Sequence, residues 1–277
     1  MRYQLARGLH ATGLARLSRA LLTRRGRFVL TLHNVFGADR GEIAATGQRG
    51  LPVPEAEAML AWLAARTTPL TAQAFLETDQ PGILITVDDG KANHVEDLLP
   101  LLERYRVPAV FFVTTRHVRD PRGWLPSERA AAEWTFGAVD AVPEATARKA
   151  YDGMGETGVR RLAGHPLITI GAHSAQHPRL PECDDPTLMQ ELTGPKTYLE
   201  ELTGRTIDLF AYPYGVYDGR VLDAVRQAGY THAFAEEALP LGEPRQEIAR
   251  LHVEHGQPYY LAAKLSGLYR APLRGRP

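Results

Sequence analysis

Two pairs of residues, of types that bind metals in proteins, each follow an apolar stretch of this sequence. Asp88 and Asp89 come directly after the apolar residues 83–87, and His173 and His177 follow a second apolar stretch. Two adjacent carboxylates at the end of a buried strand repel each other and lose hydration, and a divalent cation would relieve both effects. Histidines at i and i+4 are expected on one side of a single helical turn, from which both imidazoles reach one ion. Together the four residues are typical of an open three-ligand metal site with a spare carboxylate as general base.

Each feature has a simpler interpretation when it is taken alone. Asp-Asp-Gly is ordinary turn chemistry, and two histidines four residues apart also occur as a plain surface pair. A third feature, residues 210–215, reads Phe-Ala-Tyr-Pro-Tyr-Gly and by itself is interpretable as an aromatic turn. Pro213 and Gly215 favour a tight turn there, which would present the backbone N–H of Tyr214 to an oxyanion. The combination of the three features favours a catalytic site.

These residues need a scaffold that brings strand ends together, and the apolar pattern predicts one. Short β-rich stretches alternate with helical stretches, which is typical of a parallel sheet covered on both faces, with its active site at the carboxyl ends of the strands. Residues 116–162 interrupt the alternation and are predicted to be a helical insertion. We therefore predict one barrel domain over residues 28–277. The predicted strands are residues 28–32, 83–87, 109–113, 167–170, 207–210, 232–235 and 248–253, and the predicted helices are residues 93–105, 187–202, 219–228 and 259–269.

The composition is that of a globular protein with an uneven distribution of charge. Of the 277 residues, 44% are apolar and 23% are charged, with 32 basic against 32 acidic side chains. These values argue against a disordered chain and against a surface that binds nucleic acid throughout. The single cysteine, Cys183, excludes an internal disulfide. Residues 1–27 hold seven arginines and no acidic residue, so the rest of the chain carries a net charge of −7.

Residues 1–27 are predicted to form a basic amphipathic helix, because leucines recur there at mostly helical spacing. Two interpretations stay open: the helix binds an anionic membrane face, or it packs on the body of the protein with its arginines in water. Arginines interrupt every apolar stretch of this segment, so we do not expect a secretory signal peptide, and nothing in the chain is apolar for long enough to span a membrane. We therefore expect a cytoplasmic protein, either free or peripheral at the inner membrane face.

The ordered motifs resemble those of polysaccharide deacetylases of the NodB-homology type, also called carbohydrate esterase family 4. Residues 86–90 resemble the family's [ST]-F-D-D-G motif, residues 173–177 its H-[ST]-x-x-H motif, and residues 212–215 its R-x-P-Y-G turn. Residues 108–113 are similar to the family's P-A-T-F-F-V strand. Residues 32–35 are similar to the Y-H-x-V strand end of the branch that acts on exopolysaccharides and surface glycans.

This resemblance implies a distorted (β/α)7 barrel and metal-dependent N-deacetylation. It implies that Asp88 is the general base and that Asp89, His173 and His177 are the ligands of a divalent metal, with zinc as the expected ion. The N–H of Tyr214 would stabilise the tetrahedral oxyanion, and a general acid would protonate the leaving amine.

Two positions depart from the family pattern. Ala211 stands where many members have an arginine that orients the base, and Arg250 is our candidate for its replacement. The family's L-x-L-H motif, which supplies the acid histidine, is matched only loosely by residues 249–252. His252 is our first candidate for the acid, and His255 is the second.

The sequence therefore predicts a hydrolase that removes the acetyl group of an N-acetylated sugar in polysaccharide or glycolipid biosynthesis. The expected partners are an N-acetylated glycan, glycolipid or sugar and an anionic membrane reached through residues 1–27, with no nucleic acid. Two alternatives stay open: a hydrolase of the same fold that acts on a small non-sugar amide or imide, and a non-catalytic glycan-binding module. The intact set of two carboxylates and two histidines argues against the binding module.

Overall fold

The computed structural model describes residues 26–37, 40–48, 50–236 and 244–265. The N-terminal helix predicted for residues 1–27 lies outside these ranges except for its last two residues, and Arg27 already begins the first strand. Residues 266–269 of the last predicted helix also lie outside them. Among the described helices, none is long and apolar enough to cross a membrane.

A parallel sheet forms the centre of the fold. The described strands are β1 (Arg27–Leu32), β2 (Asn34–Phe36), β3 (Gly50–Pro52), β4 (Gly82–Val87), β5 (Ala109–Val113), β6 (Ile168–Ala172), β7 (Leu209–Ala211), β8 (His232–Ala235), β9 (Ile248–Ala249) and β10 (Leu251–His252). β2 pairs with β3, and the other eight form one sheet in the order β10-β1-β4-β5-β6-β7-β8-β9. Neighbours in this sheet are parallel throughout, so the carboxyl ends of its strands lie at one end of the fold.

β9 and β10 bring the two edges of this sheet together. Only Arg250 separates them, yet β9 pairs with β8 at one edge while β10 pairs with β1 at the other. Counted as one interrupted strand, they complete a nearly closed barrel of seven strands. The predicted distorted (β/α)7 barrel is therefore confirmed, and Arg250 lies at its seam.

The strands read as continuous apolar stretches because both faces of the sheet are buried. In β5, Val110 and Phe112 belong to one apolar cluster, whereas Ala109, Phe111 and Val113 belong to another. The first cluster consists mainly of strand residues and fills the barrel, and the second joins the strands to the surrounding helices. Alternate residues of a strand point to opposite faces, so one short strand serves both clusters.

Helices surround the barrel. They are α1 (Arg40–Ala44), α2 (Val53–Arg66), α3 (Ala72–Glu77), α4 (Leu99–Tyr105), α5 (Arg116–Arg119), α6 (Pro126–Phe136), α7 (Glu144–Ala150), α8 (Gly155–Ala163), α9 (Asp185–Thr203), α10 (Gly219–Gln227) and α11 (Pro258–Leu265), with a π-helical turn (His94–Leu98) before α4. α2 is absent from the predicted helices, although Ala56, Met59, Leu60 and Leu63 are buried in it at helical spacing.

The segment predicted as a helical insertion, residues 116–162, contains α5, α6, α7 and most of α8. It packs around a small apolar cluster of its own that includes Trp124 and Tyr151, whose rings stack with centroids 4.6 Å apart. Phe36 at the end of β2 belongs to the same cluster. This cluster therefore joins the segment to the barrel near the carboxyl ends of its strands.

Candidate active site

The carboxyl ends of the strands surround a cavity of about 710 Å³. Asp88 and Asp89 follow β4, His173 follows β6, and Tyr214 lies in the turn after β7. All the predicted site residues line this cavity, namely Asp88, Asp89, His173, His177, Tyr214, His252 and the alternative acid His255. The structure therefore brings together residues that span most of the chain.

Asp89, His173 and His177 form a cluster whose potential ligand atoms all lie within 4.8 Å of one another. Asp89 Oδ1 is 3.8 Å from His173 Nε2 and 3.7 Å from His177 Nε2, and the two Nε2 atoms are 3.2 Å apart. Burial lowers the pKa of His177 to about 4, so its imidazole is neutral at physiological pH, which is the form that binds a metal.

The chemistry of this donor set fits a divalent cation. His173 Nδ1 is 2.8 Å from the carbonyl oxygen of Ala211, which can only accept a hydrogen bond. Nδ1 of His173 therefore carries the proton, and its Nε2 presents a lone pair to the cluster. Two imidazoles and one carboxylate are a common ligand set for Zn²⁺ and similar ions.

His173 and His177 lie on a loop that brings their rings together. The prediction that they share a helical turn is therefore wrong. Residues 173–177 are not helical, and Ser174 and His177 have φ values of 63° and 59°. The i, i+4 spacing alone did not reveal this, because the loop is held by contacts from distant residues. Glu191 in α9 accepts hydrogen bonds from the backbone N–H groups of Ala175 (2.9 Å) and Gln176 (2.8 Å). This buried carboxylate therefore fixes the segment between the two histidines.

Asp88, the predicted base, forms a buried ion pair with Arg250. Nη1 of Arg250 donates to Asp88 Oδ1 at 2.8 Å, and both side chains are almost fully buried. Burial raises the pKa of Asp88, but the positive charge of Arg250, with smaller contributions from neighbouring histidines, outweighs it and lowers the pKa to about 2. The expectation that Arg250 replaces the arginine missing at Ala211 agrees with this contact.

Tyr214 lies at the cavity wall in a tight turn. The turn Pro213–Gly215 places Tyr214 at φ 58°, in the left-handed region. Gly215 also has a positive φ, and a Cβ there would lie 2.4 Å from Cγ of Glu236, so only glycine fits. The Tyr214 ring packs edge-on against His177, with ring centroids 4.5 Å apart. The turn therefore places the Tyr214 ring beside the cluster of Asp89, His173 and His177.

The two candidate acids have different surroundings. His252 stacks on His33, with ring centroids 5.0 Å apart, and its Nε2 lies 2.6 Å from Oε1 of Glu236. His33 in turn lies within the electrostatic reach of both Asp88 and Asp89. His255 instead packs edge-on against Tyr260 and has Arg40 and Glu55 among its charged neighbours. The surroundings of His252 favour it over His255 as the acid.

Sequence reasoning missed Glu236 as part of the site. This residue follows β8 directly, as the predicted site residues follow their own strands, and that position was the available signal. Its interaction with His252 lowers the pKa of Glu236. Glu128, in the segment between β5 and β6, also lines the cavity and was not predicted.

A nearly closed parallel barrel with acidic and histidine side chains at the carboxyl ends of its strands is the arrangement of a barrel enzyme. The polysaccharide deacetylase family model matches residues 76–233, more than half of the chain. The chain therefore belongs to the polysaccharide deacetylase family.

One curated relative and two solved structures are similar to this chain. A poly-β-1,6-N-acetyl-D-glucosamine N-deacetylase of Staphylococcus aureus is 23% identical over 188 residues, which are 65% of this chain and 59% of that protein. IcaB from Ammonifex degensii superposes with a TM-score of 0.62 at 19% identity, covering 87% of this chain and 97% of that one. The deacetylase PplD from Streptococcus pyogenes, solved with acetate, has a TM-score of 0.61 at 15% identity, covering 82% and 92%. At these identities the structures establish the shared fold.

Proposed function

We propose that this protein is a metal-dependent deacetylase that hydrolyses the N-acetyl group of an N-acetylated sugar in polysaccharide or glycolipid biosynthesis. The observation that carries the proposal is the position of Asp88 beside the ligand cluster, with Oδ2 4.0 Å from His173 Nε2. A carboxylate at this position is suited to take a proton from a water molecule that attacks an acetamide carbonyl. The S. aureus relative, described as a deacetylase of an N-acetylglucosamine polymer, supports the proposal that this protein hydrolyses the same type of bond.

Asp89, His173 and His177 would hold the metal, and zinc is the ion that we expect. When bound, such an ion lowers the pKa of water and polarises a carbonyl oxygen. Asp88 accepts the proton of the attacking water, and it is ionised at any physiological pH because of its pairing with Arg250. Arg250 also fixes the direction of the carboxylate, which leaves Oδ2 on the side of the histidines.

Breakdown of the tetrahedral species needs a hydrogen-bond donor for its oxyanion and a proton for the leaving amine. We assign the first role to the backbone N–H of Tyr214, because the tight turn holds this residue at the cavity wall. We assign the second role to His252, whose ring is held between His33 and the carboxylate of Glu236.

The form of the cavity supports a sugar-sized substrate. Its volume of about 710 Å³ lies within the range of roughly 300–1,000 Å³ that is typical of ligand sites. Tyr214 is 41% exposed and offers an aromatic ring to the apolar face of a sugar. The lining is rich in charged and polar side chains, which suits a hydroxylated ligand.

Release of acetate from a panel of N-acetylglucosamine oligomers tests the proposal. We expect release by the purified protein, loss of release after treatment with a chelator, and recovery when zinc is added back. Release that is unaffected by thorough metal removal would contradict the metal-dependent mechanism. Hydrolysis of small amides or cyclic imides without release from any sugar would favour the non-sugar alternative, and glycan binding without hydrolysis would favour the binding module.

We also propose that residues 1–27 bring the protein to an anionic membrane surface at the cytoplasmic face, as their seven arginines suggest. Co-sedimentation with phosphatidylserine-containing vesicles tests this. We expect binding by the full chain, weaker binding at high salt, and a loss of binding when residues 1–25 are removed. Equal sedimentation of the two forms would instead favour a segment that packs on the body of the protein.

A further inference from the structure

A buried polar cluster beneath the metal-ligand site has no role in the chemistry described so far. It consists of Lys91, His117 and Glu128, whose side chains are 1%, 0% and 6% exposed. Lys91 Nζ pairs with Glu128 and also donates to the carbonyl oxygen of Tyr151 at 3.3 Å. Buried charged groups are stable only where they are paired and hydrogen-bonded, as these three side chains are.

The cluster makes direct contact with the backbone of Asp89. Nδ1 of His117 lies 3.0 Å from the carbonyl oxygen of Asp89, and the N–H of Thr114 donates to the same oxygen at 3.3 Å. Asp89 has a φ of 81°, a conformation that is unfavourable for a residue with a Cβ and persists only where its surroundings enforce it. His117 and Thr114 are among the groups that enforce it.

Glu128 holds the other side of the His117 ring. Oε2 of Glu128 lies 2.9 Å from Nε2 of His117 and accepts a hydrogen bond of 2.7 Å from the N–H of Leu125. Glu128 belongs to α6, which lies in the predicted helical insertion between β5 and β6. An unbroken series of contacts therefore runs from α6 through Glu128 and His117 to Asp89.

Residues 152–154 of the same segment bind the loop that carries Asp89. The N–H of Met154 donates to the carbonyl of Gly90 at 2.9 Å, and the N–H of Ala92 donates to the carbonyl of Asp152 at 2.9 Å. A Cβ on Gly153 would lie 2.2 Å from the carbonyl oxygen of His117, so the two parts of the segment meet at close range. The segment therefore contacts the Asp89 loop at two separate places, through His117 and through Asp152 and Met154.

We propose that Glu128 and His117 are positioning residues for the metal ligand Asp89, and that α6 is a functional part of the metal site. Glu128 orients the imidazole of His117, and His117 keeps the Asp89 backbone in the conformation that directs its carboxylate toward His173 and His177. The inference rests on the proposed metal site. It extends that site to a segment that contains none of the family motifs. Partners that orient ligands in this way typically change metal affinity about 10–100-fold when they are removed.

The test measures zinc affinity by competition with a chromophoric chelator, in a Lys91→Met background that removes the buried cation. In this background, Glu128→Gln keeps a side-chain amide that can hydrogen-bond to His117 Nε2, whereas Glu128→Leu removes it. We expect Glu128→Gln to bind zinc within about threefold of the background and Glu128→Leu to bind it about 10–100-fold more weakly. Glu133→Leu on the exposed face of α6 is the matched control and should leave the affinity unchanged.

Two further measurements separate positioning from general loss of structure. The visible absorption of the Co²⁺-loaded protein reports the ligand geometry, and we expect it to change in Glu128→Leu but not in Glu128→Gln. His117→Leu in the otherwise unchanged chain breaks the contact with Asp89 directly and should weaken zinc binding to the same degree, which covers the case of a double variant that does not fold. Equal zinc affinity of the Gln and Leu variants and of His117→Leu would overturn the inference. Absence of zinc binding by the unmodified protein would instead overturn the proposed function.

Discussion

The two sides of the cavity differ in how firmly their functional residues are held. On the side of β4 and β6, the side chains of Asp88 and His173 are only 3% and 2% exposed. On the side of β8 and β10, those of Glu236 and His252 are 47% and 31% exposed. Buried charged groups are stable only where their partners satisfy them, so the first side has one well-defined arrangement. The second side has fewer restraints.

This difference matches the chemistry that we propose for each side. Metal ligands must lie within a few tenths of an ångström of their required positions, whereas a proton donor must only come within hydrogen-bond reach of the leaving group. A solvent-exposed donor can also be assisted by water. Changes on the first side should therefore have the larger effects, and the predictions below test that order.

Replacement of Asp88 by Asn should have the largest effect. The amide cannot accept a proton from water, so we expect turnover to fall by about 10²–10⁴-fold. Zinc binding should persist, because Asp88 is not one of the three clustered ligands. Acetate release and metal content, measured on the same preparation, check both parts.

Asp89→Asn is the comparison that distinguishes a base from a ligand. It should lose zinc affinity together with activity, since it replaces a ligating carboxylate by a neutral amide. A near-normal turnover in Asp88→Asn would place the base elsewhere.

Replacement of Arg250 by Gln should raise the pKa of Asp88 from about 2, because burial then acts without the compensating cation. A base with a higher pKa is protonated at a higher pH, so the acid limb of the pH dependence of kcat/KM should move upward by a pH unit or more. Arg250→Lys retains a positive charge and should show a smaller shift. An acid limb that does not move in Arg250→Gln would mean that another group controls it.

On the side of β4 and β6, the titration of His94 should also make the folded state less stable as the pH falls. Nδ1 of this buried histidine accepts from the N–H of Lys91, and its Nε2 lies 2.8 Å from the carbonyl of His33, so the neutral ring is satisfied on both sides. Burial lowers its pKa from 6.5 to about 4. Between these two values the unfolded chain binds the proton and the folded chain does not, so stability present above pH 6.5 is lost as the pH falls toward 4.

For His94 alone, we expect a loss of roughly 2 kcal/mol in the free energy of unfolding between pH 7.5 and pH 5. Denaturant unfolding in the presence of a chelator measures it without a contribution from bound metal. His94→Asn should depend less on pH over this interval. An identical pH dependence in the variant would show that His94 does not titrate as described.

Features that are local in the sequence could be predicted, whereas contacts between distant residues could not. The strands and the residues that follow them are local features: a parallel strand buried on both faces is a continuous apolar stretch, and Asp88 or His173 is simply the next polar residue. The contact between Glu128 and Lys91 joins positions 37 residues apart, and the loop at residues 173–177 depends on Glu191 in a helix. Pairs of this kind follow from the packed fold and leave no periodic signal in the chain.

His252 offers the smallest effect and the sharpest test of the more exposed side. General acids contribute about 10²–10⁴-fold where water cannot replace them, but this histidine is partly exposed, so we expect His252→Ala to lower turnover by only about tenfold. His255→Ala is the matched control, since His255 lines the same cavity but packs on Tyr260, and it should change turnover less than twofold. Substrates with a better leaving group than a sugar amine need less acid assistance, so the defect of His252→Ala should shrink with them. A larger loss in His255→Ala would reverse the assignment, and a loss in His252→Ala as large as that in Asp88→Asn would mean that the two sides of the cavity are equally demanding.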